Sequence, residues 1–259
     1  LGAWGFRING LGQRGEGLEA VIDWVGQLES KRDGLDYEID GVVVKINELQ
    51  ARKEVGNTSH HPRWALALKF EPRKAVTRIK DIEVSVGRTG KLTPVAVLDP
   101  VVVGGVTVSR ASLHNREEVE RKGVREGDLV TIQRAGDVIP QVVKRIEEKD
   151  LERGVEFKIP PVCPVCETEV VERGPFSYCP NRFGCVAQLK RGILHFGSRE
   201  GLGIEGLGEE VCSLLVDTGL LSEFADLFSL DVEDLENLER FGRKSAENLY
   251  KAIQEKKSV

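Results

Sequence analysis

The chain has no methionine in its 259 residues and opens on Leu1, so it is expected to be a fragment of a longer reading frame. No apolar run approaches the ~20 residues needed to cross a bilayer as a helix. A charged-then-apolar leader is also lacking, so nothing marks the chain for export. Low-complexity segments are absent. Strong positive charge is missing too: the formal net charge is −5, which by itself argues against a polyanionic partner. That average hides a gradient. Residues 71–160 carry 17 Lys/Arg against 15 Asp/Glu, a balance of +2, whereas residues 201–259 carry 6 against 13, a balance of −7. A segment as acidic as the latter can hold nucleic acid only through backbone N–H groups or a few local cations.

At 40% hydrophobic residues, the length suits two or three small domains. Residues 1–70 read as mixed, with a helix near Leu18–Leu28 and then two strands. Residues 75–158 are rich in Val, Gly and Thr. Short alternating stretches (Val84–Val86, Val95–Leu98, Val101–Val108, Leu129–Ile132) lie between Gly and Pro, as in a small closed barrel. Four of the five cysteines lie in 160–190. From 193 to 257 the period is helical, with Val211, Leu214 and Leu215, then Leu235 and Leu238, then Leu249 and Ile253. The expected class is α+β and multidomain.

Two strands carry the chemistry. In Trp64–Phe70 alternation places Leu66, Leu68 and Phe70 on a core face, and Ala65, Ala67 and Lys69 on the other. That second face is a shallow floor ending in an ammonium, on which a flat ring with phosphates could lie. In Asp40–Lys45, Gly41, Val43 and Lys45 share one side, and Asp40, Val42 and Val44 the other. Lysine supplies a point charge that a transferring phosphoryl group can use. The alternative is two buried strands whose lysines simply reach solvent.

Cys163-Pro-Val-Cys166, followed by Cys179 and Cys185, forms two knuckles that could close a tetrahedral thiolate site for structural zinc. Two disulfides are the rival reading, disfavoured by the lack of a secretory signal. Cys212, among helical apolar residues, reads as a core thiol.

Three segments read as turns between barrel strands: Val86–Gly90, Val108–Asn115 and Arg134–Pro140. Each sets an arginine (Arg88, Arg110, Arg134) beside Gly, Ser or Thr, a composition suited to phosphate oxygens. Alternatively the arginines form surface ion pairs and Val138 and Ile139 are barrel core. Gly203–Gly208 and Leu238–Ala246 fit two helix-hairpin-helix turns, whose second helices would offer free N–H groups to a phosphate. An ordinary helical turn with Gly at positive φ is the plainer alternative.

The segments Asp40–Lys45 and Trp64–Phe70 resemble the fourth and fifth nucleotidyltransferase motifs of bacterial-type NAD-dependent DNA ligases. Matches continue in the family's order from about Trp4 to the chain end. The resemblance implies four parts: the end of an adenylation domain (1–74), an oligonucleotide-binding barrel (75–158), a four-cysteine zinc module (159–190) and a helix-hairpin-helix region (191–259). It implies sealing of 3′-hydroxyl/5′-phosphate nicks through three adenylyl transfers. Lys45 and Lys69 would face the adenylate and Asp40 would sit near a metal or the lysine network, with NAD, Mg²⁺ (or Mn²⁺) and Zn²⁺ as cofactors. Nicked duplex DNA would lie against Arg88, Arg110, Arg134 and the hairpin glycines Gly206, Gly208 and Gly242, with Val138 and Ile139 pressing on the minor groove. A cytoplasmic monomer with no membrane partner is expected.

In this family the adenylate is carried by the lysine of a Lys-x-Asp-Gly motif. Lys31-Arg32-Asp33-Gly34 has that spelling, but only five residues separate Gly34 from Asp40. The string reads instead as the charged end of a helix and a turn, with Arg32 able to reach a phosphate. The adenylated lysine, the module that binds the nicotinamide half of NAD, and the later hairpins and BRCT domain are therefore expected to lie outside this sequence. A non-catalytic DNA clamp is the second reading. An RNA ligase or capping enzyme is a third, which shares the lysine motifs but does not predict the cysteine quartet with tandem hairpins.

Overall fold

The computed structural model describes residues 2–134, 139–148, 153–239 and 241–257. They fall into two compact units: residues 1–75, 102–107 and 133–140, and residues 76–101, 108–132 and 141–259.

In the first unit a 3-10 turn at Gly2–Trp4 precedes helix α1 (Gly17–Lys31), which ends in a second 3-10 turn over Arg32–Gly34. Lys31 is thus the last residue of a helix, as its charged flank predicts. Trp24, Val25 and Leu28 recur at helical spacing and pack on Val42, Leu68 and Phe70. Burying Leu28, Val42 and Phe70 stabilises this layer by about 1.5–3 kcal/mol per side chain. Strand β1 (Gly41–Lys45) is followed by helix α2 (Leu49–Val55) and strand β2 (Ala65–Lys69). The two strands are antiparallel, with Gly41 opposite Lys69, Val43 opposite Ala67 and Lys45 opposite Ala65.

One expectation fails here. Leu66 does not join the core face: it is 64% exposed, while Phe70 on the same face is 7% exposed. The apolar stripe of α1 reaches Val42, Leu68 and Phe70 but not the far end of the pair, where Leu66 stands opposite Val44.

Strands β3 (Arg73–Val86), β4 (Lys91–Val103) and β5 (Val106–Ser112), helix α3 (Arg116–Lys122), and strands β6 (Leu129–Arg134) and β7 (Gln141–Ile146) follow. The strands run β3-β6-β7-β5-β4, and β4 pairs back onto β3 to close a five-stranded barrel. β3 and β4 are antiparallel, whereas β5 and β7 are parallel at Ser112 and Gln141. Period-two alternation in β4 buries Leu92, Ala96 and Leu98 with Ile79, Ile82, Val108, Ala111, Val130, Ile132 and Val142.

Two segments differ from the sequence reading. Val101–Val108 is not one stretch, because the chain reverses at Gly104-Gly105 between β4 and β5. Val108–Asn115 is not a turn either. Its first five residues belong to β5, and Asn115 caps α3 by accepting the Glu118 N–H at 2.8 Å.

The hairpin β8 (Val171–Arg173)–β9 (Phe176–Tyr178) extends the barrel sheet, with β9 pairing onto the start of β4. Helices α4 (Val186–Gly197), α5 (Glu209–Asp217), α6 (Val232–Glu236) and α7 (Arg243–Glu255) complete the chain. Leu189, Ile193, Leu207, Leu215, Leu235, Leu249 and Ile253 converge in one core, which also takes Cys212. Burial pushes the Cys212 thiol up to about 11, as suits an inert core group.

Candidate nucleotide, metal and nucleic-acid sites

The register of β1 and β2 places Lys45 and Lys69 on one face. Because the strands are antiparallel, the two lysines stand at its opposite ends, with Val43 and Ala67 between them. Four residue steps separate them, or about 13 Å at about 3.3 Å per residue. Gly41 is required here: a Cβ would overlap the Leu68 carbonyl oxygen and come within 2.8 Å of Lys69 Cα. Alternation put Asp40 on the opposite face. Asp40 instead precedes β1, and its carboxylate lies 3.8 Å from Lys69 Nζ. Both side chains remain largely exposed, so a phosphate could displace that weak ion pair. Arg32 donates to the Glu71 carbonyl at 3.2 Å, with its guanidinium 5.7 Å from the Phe70 ring centroid.

The four cysteines meet. The sulfurs of Cys163, Cys166, Cys179 and Cys185 all lie within 4.8 Å of one another, and Cys166 and Cys179 approach to 3.4 Å. Zn–S bonds of about 2.3 Å would set tetrahedral sulfurs about 3.8 Å apart, so the quartet fits such an ion with little movement. Three of the thiols are buried and share a core with Val86 and Leu92. Cys179 and Cys185 shift in the opposite direction to Cys166. Burial pushes Cys179 up to about 12 and raises Cys185. At Cys166 burial also acts upward, but contacts with Thr168 and Asn181 outweigh it and hold the thiol at about 6. These groups could hold a metal ion, and four protein ligands would leave it no open position for catalysis. No other group of three or more candidate ligands occurs among the described residues.

Sequence reasoning missed the polar groups around the thiols. Gln188 is 5% exposed and donates Nε2 to the Cys179 carbonyl at 3.1 Å. The signal was present: Gln188 occupies an inward position on α4 beside Leu189 and Ile193. A buried amide without a partner is costly, so an inward glutamine implies a specific acceptor.

The barrel arginines divide. Arg88 sits exposed in the β3–β4 turn, and among the described residues no carboxylate pairs with it. Arg110 projects from β5 to Glu83 at 2.5 Å, and Arg134 lies 3.8 Å from Glu38. Ile139 is 73% exposed and is therefore not barrel core. Val138 lies outside the described residues. In the helical part, Gly206 has φ +87, while Gly208 and Gly242 are the N-caps of α5 and α7, neither supplying a side-chain bond. Each of those helices therefore opens with N–H groups that no side chain caps.

Residues 1–73 match the NAD-dependent DNA ligase adenylation domain, residues 76–154 the NAD-dependent DNA ligase OB-fold domain, and residues 198–255 the SAM-like helix-hairpin-helix tandem. A protein named DNA ligase from Haloquadratum walsbyi is 49% identical over 98% of this chain and 34% of its own length. Another of that name from Syntrophus aciditrophicus is 49% identical over 98% of the chain and 38% of its own length. A third, from Marinobacter nauticus, is 49% identical over 96% and 37%. The chain thus spans little more than a third of the length of these relatives. On the strength of these matches, which run in order along its length, the chain belongs to the NAD-dependent DNA ligase family.

Proposed function

We propose that the protein containing this chain seals 3′-hydroxyl/5′-phosphate nicks in duplex DNA at the expense of NAD, and that this chain supplies part of the adenylate wall and the grip on the duplex. The observation that carries the reading is the β1–β2 face. A floor of Gly41, Val43, Ala65 and Ala67 lies between Lys45 and Lys69, a shape and charge suited to a flat base with phosphates. The two ammonium groups favour charge that develops on the adenylate phosphate during transfer. Asp40 is the carboxylate beside Lys69 that could share a Mg²⁺ or Mn²⁺ ion with phosphate oxygens, where such an ion offsets negative charge. Lys31, at the end of α1, is not the lysine that carries the adenylate.

The domain limits that best serve this reading are 1–74 for the adenylation portion, 75–158 for the barrel, 159–190 for a module holding structural Zn²⁺ on its four thiolates, and 191–259 for the hairpins. Arg88, Arg110, Arg134, Val138, Ile139, Gly206, Gly208 and Gly242 are the DNA contacts of the reading. Exposed Ile139 and Arg88, which pairs with no carboxylate among the described residues, support it most directly, whereas Arg110 must first leave Glu83. No helix among the described residues is long and apolar enough to cross a membrane. A monomer in the cytoplasm, where thiols stay reduced, suits the metal site.

The test is gel-based nick sealing by the whole protein with Lys69→Ala. Sealing should fall by orders of magnitude while the circular dichroism spectrum is kept, and near-normal sealing would sink the assignment. The 259-residue chain alone should form no labelled AMP adduct from NAD; an adduct on Lys31 would overturn that expectation.

A further inference from the structure

The thiolate quartet and the barrel turn that carries Arg88 are joined by one short polar circuit. The Cys179 N–H donates to the Gly90 carbonyl at 2.8 Å. The Cys179 carbonyl in turn accepts from Gln188 Nε2 at 3.1 Å. Gln188 Oε1 lies 2.9 Å from where a Cβ on Gly90 would stand, so the amide packs directly against the turn. Cys185 Sγ faces the Gln188 backbone and side chain. One buried amide thus touches the backbone of one ligand, a second ligand and the glycine that closes the Gly87–Gly90 turn. Around it Val86 and Leu92, the residues flanking that turn, share a core with Cys163, Cys179 and Cys185. A metal ion drawing the four sulfurs together would fix Cys179, and through it the turn.

We propose that Gln188 is a positioning residue that couples the metal centre to the β3–β4 turn, so that metal occupancy sets how Arg88 is presented to a phosphate of the duplex. The phosphate part rests on the proposed DNA partner, whereas the coupling between metal and turn does not. Groups that orient metal ligands without binding the metal commonly alter affinity 10–100-fold when removed.

The experiment uses the zinc-loaded 259-residue chain and its Gln188→Met variant, which keeps the length of the side chain but loses the amide. Zinc affinity, from chelator competition, should fall 10–100-fold, while the Co²⁺-substituted spectrum stays that of a tetrahedral thiolate site. The salt dependence of duplex binding should flatten by about 0.9 in log–log slope, the loss of one phosphate contact. Arg88→Ala should flatten it equally, and the double variant no further. Lower thermal stability with unchanged affinity and slope would assign Gln188 a merely structural role and overturn the proposal. Should the variant not fold, amide exchange in the wild type decides. Stripping the metal should speed exchange at the Cys179 N–H and leave the Ile79 N–H, bonded to the Asp128 carbonyl at 2.9 Å, unchanged. Equal protection at Cys179 with and without metal would overturn the coupling. If wild-type chain binds no duplex, the DNA reading fails, and zinc affinity and exchange still judge the coupling.

Discussion

Gly90 and Cys179 are held so closely that no other residue fits at position 90. The Gly90 carbonyl accepts the Cys179 N–H at 2.8 Å, and a Cβ on Gly90, whose φ is +81, would overlap the Cys179 carbonyl oxygen. Gly90→Ala combines a left-handed backbone with a backbone collision. The first costs about 1–2 kcal/mol and the second about 1–3 kcal/mol. A loss of about 2–5 kcal/mol in urea unfolding is expected, with zinc held less tightly. A loss under about 0.5 kcal/mol would show that the turn and the thiolate site are not locked together.

Asp128 is the second fixed point of the barrel. Its side chain is 1% exposed and takes both Arg153 Nε at 2.7 Å and Nη2 at 2.8 Å, as well as the Arg125 N–H at 2.8 Å. Arg153→Ala leaves a buried carboxylate with a backbone donor but no cation. Removing one partner of a buried pair costs about 3–5 kcal/mol, and since Arg153 is 27% exposed the lower end applies. Chemical unfolding should show a loss of about 3 kcal/mol. Adding Asp128→Asn should recover part of it, because the stranded charge is gone.

What the sequence made legible follows a physical division. Alternation and helical period depend on nearest neighbours, so the barrel, the hairpin helices and the side of its own strand on which each of Lys45 and Lys69 lies could be read directly, whereas their common face needs the β1–β2 register. Cysteine spacing was enough to predict the quartet. Relations across the fold were not legible. Leu66 reads as core by alternation, yet whether it is covered depends on how far the stripe of α1 extends. Arg110 reads as a turn residue because Ser109 and Ser112 flank it, but β5 needs that stretch to pair with its neighbours. Gln188 stands at an inward position beside Leu189 and Ile193, which signals a polar partner, but that the partner is the Cys179 carbonyl appears only when α4 is folded against it.

Glu118 gives the barrel helix a pH dependence. Hydrogen bonds from Arg121 first and Lys122 second hold its carboxyl down from the ordinary 4.5 to about 2. Lys122 is held with it, its side chain only 6% exposed. A depressed carboxyl contributes stability above its unfolded pKa and loses it as pH falls through the folded one. The contribution should therefore be intact above about 4.5 and disappear between there and about 2. Because Glu118 is 29% exposed, screening reduces it to about 1 kcal/mol. Acid titration by circular dichroism should show wild type and Glu118→Gln differing at pH 6 and converging by pH 2. A constant gap across that range would rule out the carboxylate as its source.

The two hairpins should not grip DNA equally. Helix α5 opens with Glu209 and Glu210, whose charges oppose a phosphate at its N-terminus, whereas α7 opens with Arg243 and Lys244. Arg243 is already engaged by Glu236 at 3.3 Å and Glu247 at 3.1 Å. Lys244 has no carboxylate partner among the described residues, so it is the cation at that end free to meet a phosphate. Lys244→Ala should weaken duplex binding alike on nicked and intact DNA and flatten the salt slope by about 0.9. Glu209→Gln should tighten binding, because it removes a repulsion rather than a contact. If both changes act equally and in the same direction, the phosphate does not lie at either helix N-terminus, and the acidic tail must hold DNA by another surface or not at all.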